Sequence, residues 1–118
     1  MKKHLVMYSR TTGCPYITVA KRVLSDYALE YHEIFIDKDV EARKLVQAWT
    51  GFLSVPTLVA ARNDDMLPYQ EPLPIPRGSS PRGINRDSMI TEANADQLRQ
   101  WLAQHGFIVI EDDDQKVS

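Results

Sequence analysis

Hydrophobic residues change their spacing in a regular order along the first third of the chain. Residues 4–8 contain the short apolar run 5–8, which predicts a first strand. Residues 31–37 predict a second strand, with His32, Ile34 and Ile36 on one face. Residues 15–29 lie between them and show nearly helical spacing. The apolar members of this helix are Ile17, Val19, Ala20, Val23, Leu24 and Ala28. We therefore expect a strand–helix–strand unit.

The next stretch adds a second helix and a third strand. Either Asp37 or Asp39 is suited to cap the helix, and Gly51 is suited to end it. The apolar stripe of this helix consists of Val40, Leu45, Val46 and Trp49. Residues 57–61 are almost continuously apolar, which is typical of a buried strand. This order of elements predicts an α/β fold that begins with parallel pairing and right-handed crossovers.

The regular order stops after the third strand, because five of the seven prolines lie between residues 62 and 82. Prolines at this density exclude helix and disfavour central strands, so we predict an extended surface loop, either a partner-binding flap or a neutral insertion. Residues 83–91 are expected to return as a strand. Asn94 and Gln97 are typical of a capping box, which predicts a last helix. Its core residues are Leu98, Trp101 and Leu102, and Gly106 ends it.

The length and composition are those of one globular domain, with 118 residues, of which 43% are hydrophobic and 25% charged. We assign this domain to residues 1–110, with the proline-rich insertion at about residues 62–85. Residues 111–118 carry a net charge of −3 within a chain total of −2, and we expect them to form a mobile acidic tail. The nearly neutral remainder argues against nucleic-acid binding.

No sequence signal for a membrane or for export is present. No apolar run approaches the ~20 residues that span a bilayer. The basic residues Lys2 and Lys3 are followed by only four apolar residues before Ser9, which is shorter than the core of a signal peptide. We therefore expect a cytoplasmic protein, in a compartment that keeps a free thiol reduced.

The single cysteine, Cys14, lies between the first strand and the first helix, directly before Pro15. Proline suits the first helical position, so Cys14 falls at the cap. The unpaired N–H groups of Tyr16 and Ile17 are expected to point toward the sulfur, where they and the helix dipole favour an anion. Since the thiolate is the reactive form of cysteine, we predict a nucleophile here rather than a core residue. Any disulfide must form with another molecule.

A second candidate feature is the segment Ser54-Val55-Pro56-Thr57, just before the buried strand. Proline is tolerated at the start of a strand for purely structural reasons. The alternative is a cis bond between Val55 and Pro56, which turns the backbone of Val55 outward. Its exposed N–H and C=O groups would then pair, strand-like, with an extended peptide.

These segments together resemble the glutaredoxins of the thioredoxin superfamily. The residues that carry the resemblance are Tyr8-Ser9, Cys14-Pro15-Tyr16-Ile17 and Ser54-Val55-Pro56-Thr57. It extends over residues 4–61, and more loosely over residues 86–105. The resemblance implies a thioredoxin-like fold with a central mixed four-stranded sheet flanked by helices.

The resemblance also implies the roles of individual residues. Cys14 is the implied nucleophile, and the backbone of Val55 holds the cysteinyl part of glutathione. Arg10 contacts a carboxylate of glutathione. The implied substrate-binding positions are Arg10, Pro15, Tyr16, Val55 and Pro56. The chain departs from the family pattern at three points. Ile17 replaces a second cysteine, and Arg10 lies four residues before Cys14, where the family's basic residue usually lies three before. The double glycine after the fourth strand has no clear match.

The resulting function is a thiol–disulfide oxidoreductase that exchanges glutathione mixed disulfides through one cysteine. Its co-substrate is glutathione or a similar low-molecular-weight thiol, and its partners are glutathionylated or disulfide-bearing proteins. We expect a monomer, and the exchange needs no metal or prosthetic group. No zinc site is expected, because His4 and His105 are far apart in the sequence and no cysteine pair exists. One alternative is a carrier that shares an iron–sulfur cluster between protomers. The other is a non-catalytic thioredoxin-fold interaction module.

Overall fold

The computed structural model describes residues 3–62 and 64–110, so the predicted acidic tail lies outside the described residues. Within these ranges the elements follow in the order β1 (Lys3–Ser9), α1 (Pro15–Asp26), β2 (Tyr31–Phe35), α2 (Val40–Thr50), β3 (Thr57–Arg62), β4 (Met89–Thr91) and α3 (Ala95–Gln104). The strands form one sheet in the order β2-β1-β3-β4. Because β1 and β2 pair in parallel and the other pairs are antiparallel, the predicted mixed sheet is confirmed.

Two apolar clusters fix the helices on opposite faces of this sheet. Helices α1 and α3 pack on one face, in a cluster that contains Leu5, Met7, Ala20, Val23, Leu24, Leu58, Ala60, Ile90, Leu98, Trp101 and Leu102. Helix α2 packs on the other face, in a cluster that contains Val6, Tyr8, Ile17, Ile36, Ala42, Val46, Val55, Val59, Ala61 and Met89. Alternate residues of β1 and β3 thus face different helices, as the two-residue period of a strand requires. A mixed four-stranded sheet with helices on both faces is the architecture of the thioredoxin-like fold.

Local signals set the ends of α2 and α3. Asp39, not Asp37, caps α2, and its carboxylate accepts from the Ala42 N–H at 3.0 Å. Gly51 ends α2 in the left-handed region, at φ 80°. Asn94 and Gln97 form the predicted capping box, with reciprocal distances of 2.8 and 2.9 Å. These contacts confirm what the polar and glycine positions predicted.

Helix α1 ends at Asp26, three residues earlier than predicted. The chain turns there because Ala28 adopts a left-handed φ of 54°. The Leu29 N–H then reaches back to the Leu24 carbonyl, and the Ala28 N–H reaches the Ser25 carbonyl, both at 3.0 Å. This pair of bonds is a Schellman motif, in which glycine normally occupies the left-handed position. Since alanine occupies it here, the sequence carries no local stop signal.

Two other predictions for the first half of the chain are wrong in detail. Val40 was expected in the apolar stripe of α2, but it is 52% exposed. It precedes the buried Ala42 by two residues, which places it roughly 200° around the helix from that residue. The second strand ends at Phe35 rather than at residue 37. Ile36 still donates to the Ser9 carbonyl at 2.8 Å, and the chain then leaves the sheet.

The described residues 64–88 contain no helix and no strand, only isolated bridges, as their prolines predict. The prediction of a strand over residues 83–91 is wrong for its first six residues, because β4 has only three. Arg86 turns inward and donates to the carbonyls of Leu73 at 2.5 Å and Trp49 at 2.7 Å. Asp87 follows in the left-handed region, at φ 64°. These two residues interrupt the extended backbone that a longer strand needs.

The apolar residues after α3 pack back on the body. Ile108 is 7% exposed, and it and Phe107 contact the cluster beneath α1 and α3. Val109 is exposed. None of the three helices in the described parts of the chain is long and apolar enough to cross a membrane.

Candidate functional site

Cys14 lies at the N-terminus of α1, where the chain leaves the end of β1. It is the N-cap residue, with extended backbone angles (φ −150°, ψ 162°), and Pro15 occupies the first turn of the helix. Its carbonyl accepts from the Thr18 N–H at 3.1 Å, which begins the helix. The residue is half-buried against the cluster beneath α2. The Cys14 side chain therefore contacts the core and is still partly exposed to solvent.

The sulfur faces the segment before β3 rather than the helix. Cys14 Sγ lies 3.9 Å from the carbonyl oxygen of Val55, a weak S–H contact to that oxygen. The Cys14 side chain makes no capping hydrogen bond, so the prediction that the Tyr16 and Ile17 N–H groups reach the sulfur is wrong in this conformation. The thiol points away from the helix end and toward the Val55 carbonyl. Neither N–H has an acceptor among the described residues, so both donors stay available at the helix end.

The segment before β3 has the predicted cis peptide bond between Val55 and Pro56. Val55 is only 3% exposed, so the prediction of an exposed Val55 backbone is wrong. Its side chain packs in the cluster beneath α2, and its carbonyl lies under the Cys14 sulfur. The Val55 N–H has no acceptor among the described residues, and the Pro56 carbonyl accepts from the Glu92 N–H at 2.9 Å.

The loop between β1 and α1 is held from the side of β2. The Thr11 N–H lies 3.2 Å from both carboxylate oxygens of Asp37, and the Thr11 hydroxyl donates to the same carboxylate. These hydrogen bonds lower the pKa of Asp37. Arg10 is exposed and its Nε donates to the Thr12 carbonyl at 3.1 Å. Arg10 therefore folds back on its own loop, and its role toward a carboxylate stays a prediction.

Tyr16 has a neighbour that the sequence did not identify. The guanidinium carbon of Arg82 lies 5.2 Å from the centroid of the Tyr16 ring, within the range of a cation–π contact. The Arg82 Nε lies 3.5 Å from a carboxylate oxygen of Glu92. Arg82 belongs to the proline-rich insertion and is 66 positions from Tyr16 in the numbering. Nothing local in the sequence links two residues so far apart.

A shallow groove runs beside this contact. Its volume is about 280 Å³, and its lining residues are Phe52, Leu53, Ser54, Ser80, Pro81, Arg82 and Glu92. One wall ends at Ser54, the residue before Val55, and the other wall comes from the insertion. The site is thus assembled from the start of α1, the segment before β3, and the chain on either side of β4.

The insertion is also fixed to the sheet beneath the site. The Tyr8 hydroxyl donates to the Met66 carbonyl at 2.6 Å, and the Tyr8 ring packs edge-to-face on Trp49 with centroids 5.2 Å apart. Burial, followed by the charges of Asp65 and Asp39, raises the pKa of Tyr8 to about 12. This tyrosine therefore stays protonated and serves as a hydrogen-bond donor at neutral pH.

Within the described ranges, histidine, cysteine and carboxylate side chains do not form a group of three or more that could hold a metal ion. His4 and His32 do approach one another, with ring centroids 5.0 Å apart. Their pair lies at β1 and β2, whereas His105 follows α3.

Comparison with known proteins identifies the family. The family model named glutaredoxin matches residues 5–63, which is half of the 118 residues. No curated protein matches the chain significantly. Glutaredoxins are generally oxidoreductases that act with glutathione and disulfide-bearing proteins, so the match supports a function of the thiol–disulfide oxidoreductase type. On the strength of this match and the thioredoxin-like sheet, the chain belongs to the glutaredoxin family.

Proposed function

We propose that the chain is a monothiol oxidoreductase in which Cys14 exchanges with mixed disulfides between proteins and glutathione. The observation that carries this proposal is the position of Cys14, a half-buried thiol at the start of α1 that lies 3.9 Å from the Val55 carbonyl. Reaction with a disulfide needs access, a thiolate and approach to one sulfur. The partial exposure of Cys14 supports access, and the free N–H groups of Tyr16 and Ile17 at the helix end support formation of the thiolate.

The proposed reaction has two balanced exchange steps. In the first, the Cys14 thiolate attacks the glutathione sulfur of the mixed disulfide, a new S–S bond forms, and the protein leaves as a thiolate that takes a proton from water. In the second, the thiolate of another glutathione attacks this bond. It releases the Cys14 thiolate and oxidised glutathione. The net result is that the substrate protein regains its thiol and one glutathione thiol is oxidised, and the two glutathiones leave together as one molecule of oxidised glutathione.

The segment before β3 supports a binding mode for the substrate. The Val55 N–H has no acceptor among the described residues, and the carbonyl of the same residue lies 3.9 Å from the thiol. An extended peptide would accept this hydrogen bond in the manner of an added strand. The buried Val55 leaves little surface, so binding requires the Cys14 side chain to rotate away from the Val55 carbonyl.

The test is the glutathione-dependent reduction of a glutathionylated peptide, measured as formation of oxidised glutathione. We expect Cys14→Ser to lose at least a hundredfold in rate, because serine cannot form the intermediate disulfide. The matched control is the double variant Cys14→Ser with Ser25→Cys, which keeps one thiol on an exposed position at the other end of α1. We expect the double variant to be as inactive as the single variant.

Two results would contradict the proposal. Equal rates for the wild type and Cys14→Ser would favour the interaction module. Recovery of activity in the double variant would show that a thiol elsewhere on α1 can replace Cys14. An iron–sulfur carrier stays a separate prediction, for which reconstitution would give a coloured dimer.

A further inference from the structure

The insertion between β3 and β4 returns to the site as a short, anchored segment, residues 80–83. Pro81 is buried. The Gly83 N–H donates to the Thr91 carbonyl at 2.7 Å, and Arg82 forms a parallel bridge with Thr91. The segment therefore runs alongside β4, which fixes the backbone of Arg82 next to Glu92.

The Arg82 side chain is positioned by two contacts but keeps most of its hydrogen-bonding capacity. Its guanidinium lies over the Tyr16 ring at 5.2 Å, and its Nε contacts Glu92 at 3.5 Å. This ion pair is longer than the ~2.8 Å of a strong charge-assisted bond. The side chain is 59% exposed, and its two terminal nitrogens have no hydrogen-bond partner in the described part of the chain. The two terminal nitrogens of Arg82, which lie in one plane, can therefore donate hydrogen bonds to a ligand.

Arg82 lines a groove whose opposite wall ends one residue before Val55. The opposite wall consists of Phe52, Leu53 and Ser54, and the first two are 58% and 48% exposed. Ser54 is followed directly by Val55, whose carbonyl contacts Cys14 Sγ. On the other side, Arg82 lies over Tyr16, two residues after Cys14. A small disulfide bound at Cys14 would therefore have Arg82 and this wall as neighbours.

We infer that Arg82 and this groove form a carboxylate-binding subsite, which gives the enzyme a preference for disulfides that carry a carboxylate near the reacting sulfur. The inference rests on the proposed function. Guanidinium binds carboxylates through two parallel N–H bonds, and Arg82 has such a pair free. Glu92 makes one long contact with the same cation, at 3.5 Å. A substrate carboxylate then competes with Glu92 for Arg82.

The experiment measures how fast reduced Cys14 forms a mixed disulfide with two small reagents, by acid quenching and mass spectrometry. Dithiodipropionate carries a carboxylate on each half, and hydroxyethyl disulfide is neutral. We expect Arg82→Gln to slow the reaction with dithiodipropionate about tenfold, the value of one charged hydrogen-bonded contact. The rate with hydroxyethyl disulfide should not change. Glu92→Gln should speed the reaction with dithiodipropionate, because it removes the internal competitor.

The matched control is Arg77→Gln, which removes the same charge from an exposed position in the same insertion. An equal loss for Arg77→Gln and Arg82→Gln would mean that net charge alone acts, and it would overturn the subsite. An equal loss with both reagents would mean that Arg82 only supports the loop, which would also overturn it. If Cys14 reacts with neither reagent in the wild type, the proposed function fails and the subsite fails with it.

Discussion

Asp37 determines where the loop before Cys14 lies. It accepts from both the N–H and the hydroxyl of Thr11, three residues before the cysteine. Because these donors stabilise the carboxylate, the pKa of Asp37 lies below its usual value of 3.8. The contribution to stability is present at neutral pH and is lost only as the pH falls below that value. At neutral pH, the loop before Cys14 is therefore hydrogen-bonded to Asp37, two residues after the end of β2.

Two glycines near the site differ in what they require of the backbone. Gly51 ends α2 at a φ of 80°, which side chains rarely adopt, whereas Gly13 has no such constraint and has open space around it. We expect Gly51→Ala to lower the free energy of unfolding by about 1 kcal/mol. Gly13→Ala should leave it unchanged within ~0.5 kcal/mol or raise it slightly. Urea unfolding of both variants measures the difference.

Equal destabilisation by the two alanines would contradict this account of the end of α2. The alanine at Gly51 meets no atom within 4 Å, so a loss there reports backbone conformation rather than a clash.

At the scale of elements, His105 joins the end of α3 to β1 and to the insertion. Lys3 Nζ donates to its Nδ1 at 3.0 Å, and its Nε2–H donates to the Asp87 carbonyl at 2.5 Å. The Trp101 indole N–H donates to the same carbonyl at 2.7 Å. Burial, reinforced by the charge of Lys3, lowers the pKa of His105 below 6.5. The folded protein therefore favours the neutral imidazole.

This shift predicts how stability depends on pH. Below about pH 6.5 the unfolded chain binds a proton at His105 that the folded chain does not, so the free energy of unfolding falls as the pH is lowered. We expect His105→Gln to reduce this fall between about pH 7.5 and 5.5, measured by urea unfolding. The control is His32→Gln, a histidine on the exposed side of β2. A fall that is unchanged in His105→Gln, or reduced equally in the control, would contradict the assignment.

Most elements were predictable because their signals are local. Asp39, Gly51 and the Asn94–Gln97 pair act within one helical turn, and the structure confirms all three. The end of α1 was missed because Ala28 takes a position where glycine is usual. Residues 83–88 were missed because Arg86 bonds to carbonyls of Leu73 and Trp49, 13 and 37 positions away in the sequence.

The residues of the candidate site also divide into those that local sequence signals identify and those that depend on the tertiary fold. Cys14 before Pro15, and Val55 before Pro56, are adjacent pairs that the sequence displays, and the fold brings them together across 41 positions. The direction of the thiol was not predictable, because it depends on which backbone group lies opposite. Arg82 was not identified either, since its position over Tyr16 depends on how the insertion folds against β4.

At the scale of the whole molecule, the site draws on more than the part that the family match covers. The match ends at residue 63, before Arg82 and Glu92. The insertion that carries Arg82 is anchored at both ends, by Tyr8 to Met66 and by Gly83 to Thr91. The part of the site within the family match thus supplies the thiol, and the segment between β3 and β4 supplies a groove wall and the Arg82 cation.

The central claim is that Cys14 itself receives glutathione from a substrate. Its most direct test is to mix the reduced protein with a glutathionylated peptide, quench with acid, and analyse the intact protein and its peptides by mass spectrometry. The account predicts a mass increase of one glutathione, located on Cys14 and removed by free glutathione. Transfer of the peptide instead of glutathione, or a protein that gains no mass while the mixed disulfide stays intact, would contradict it.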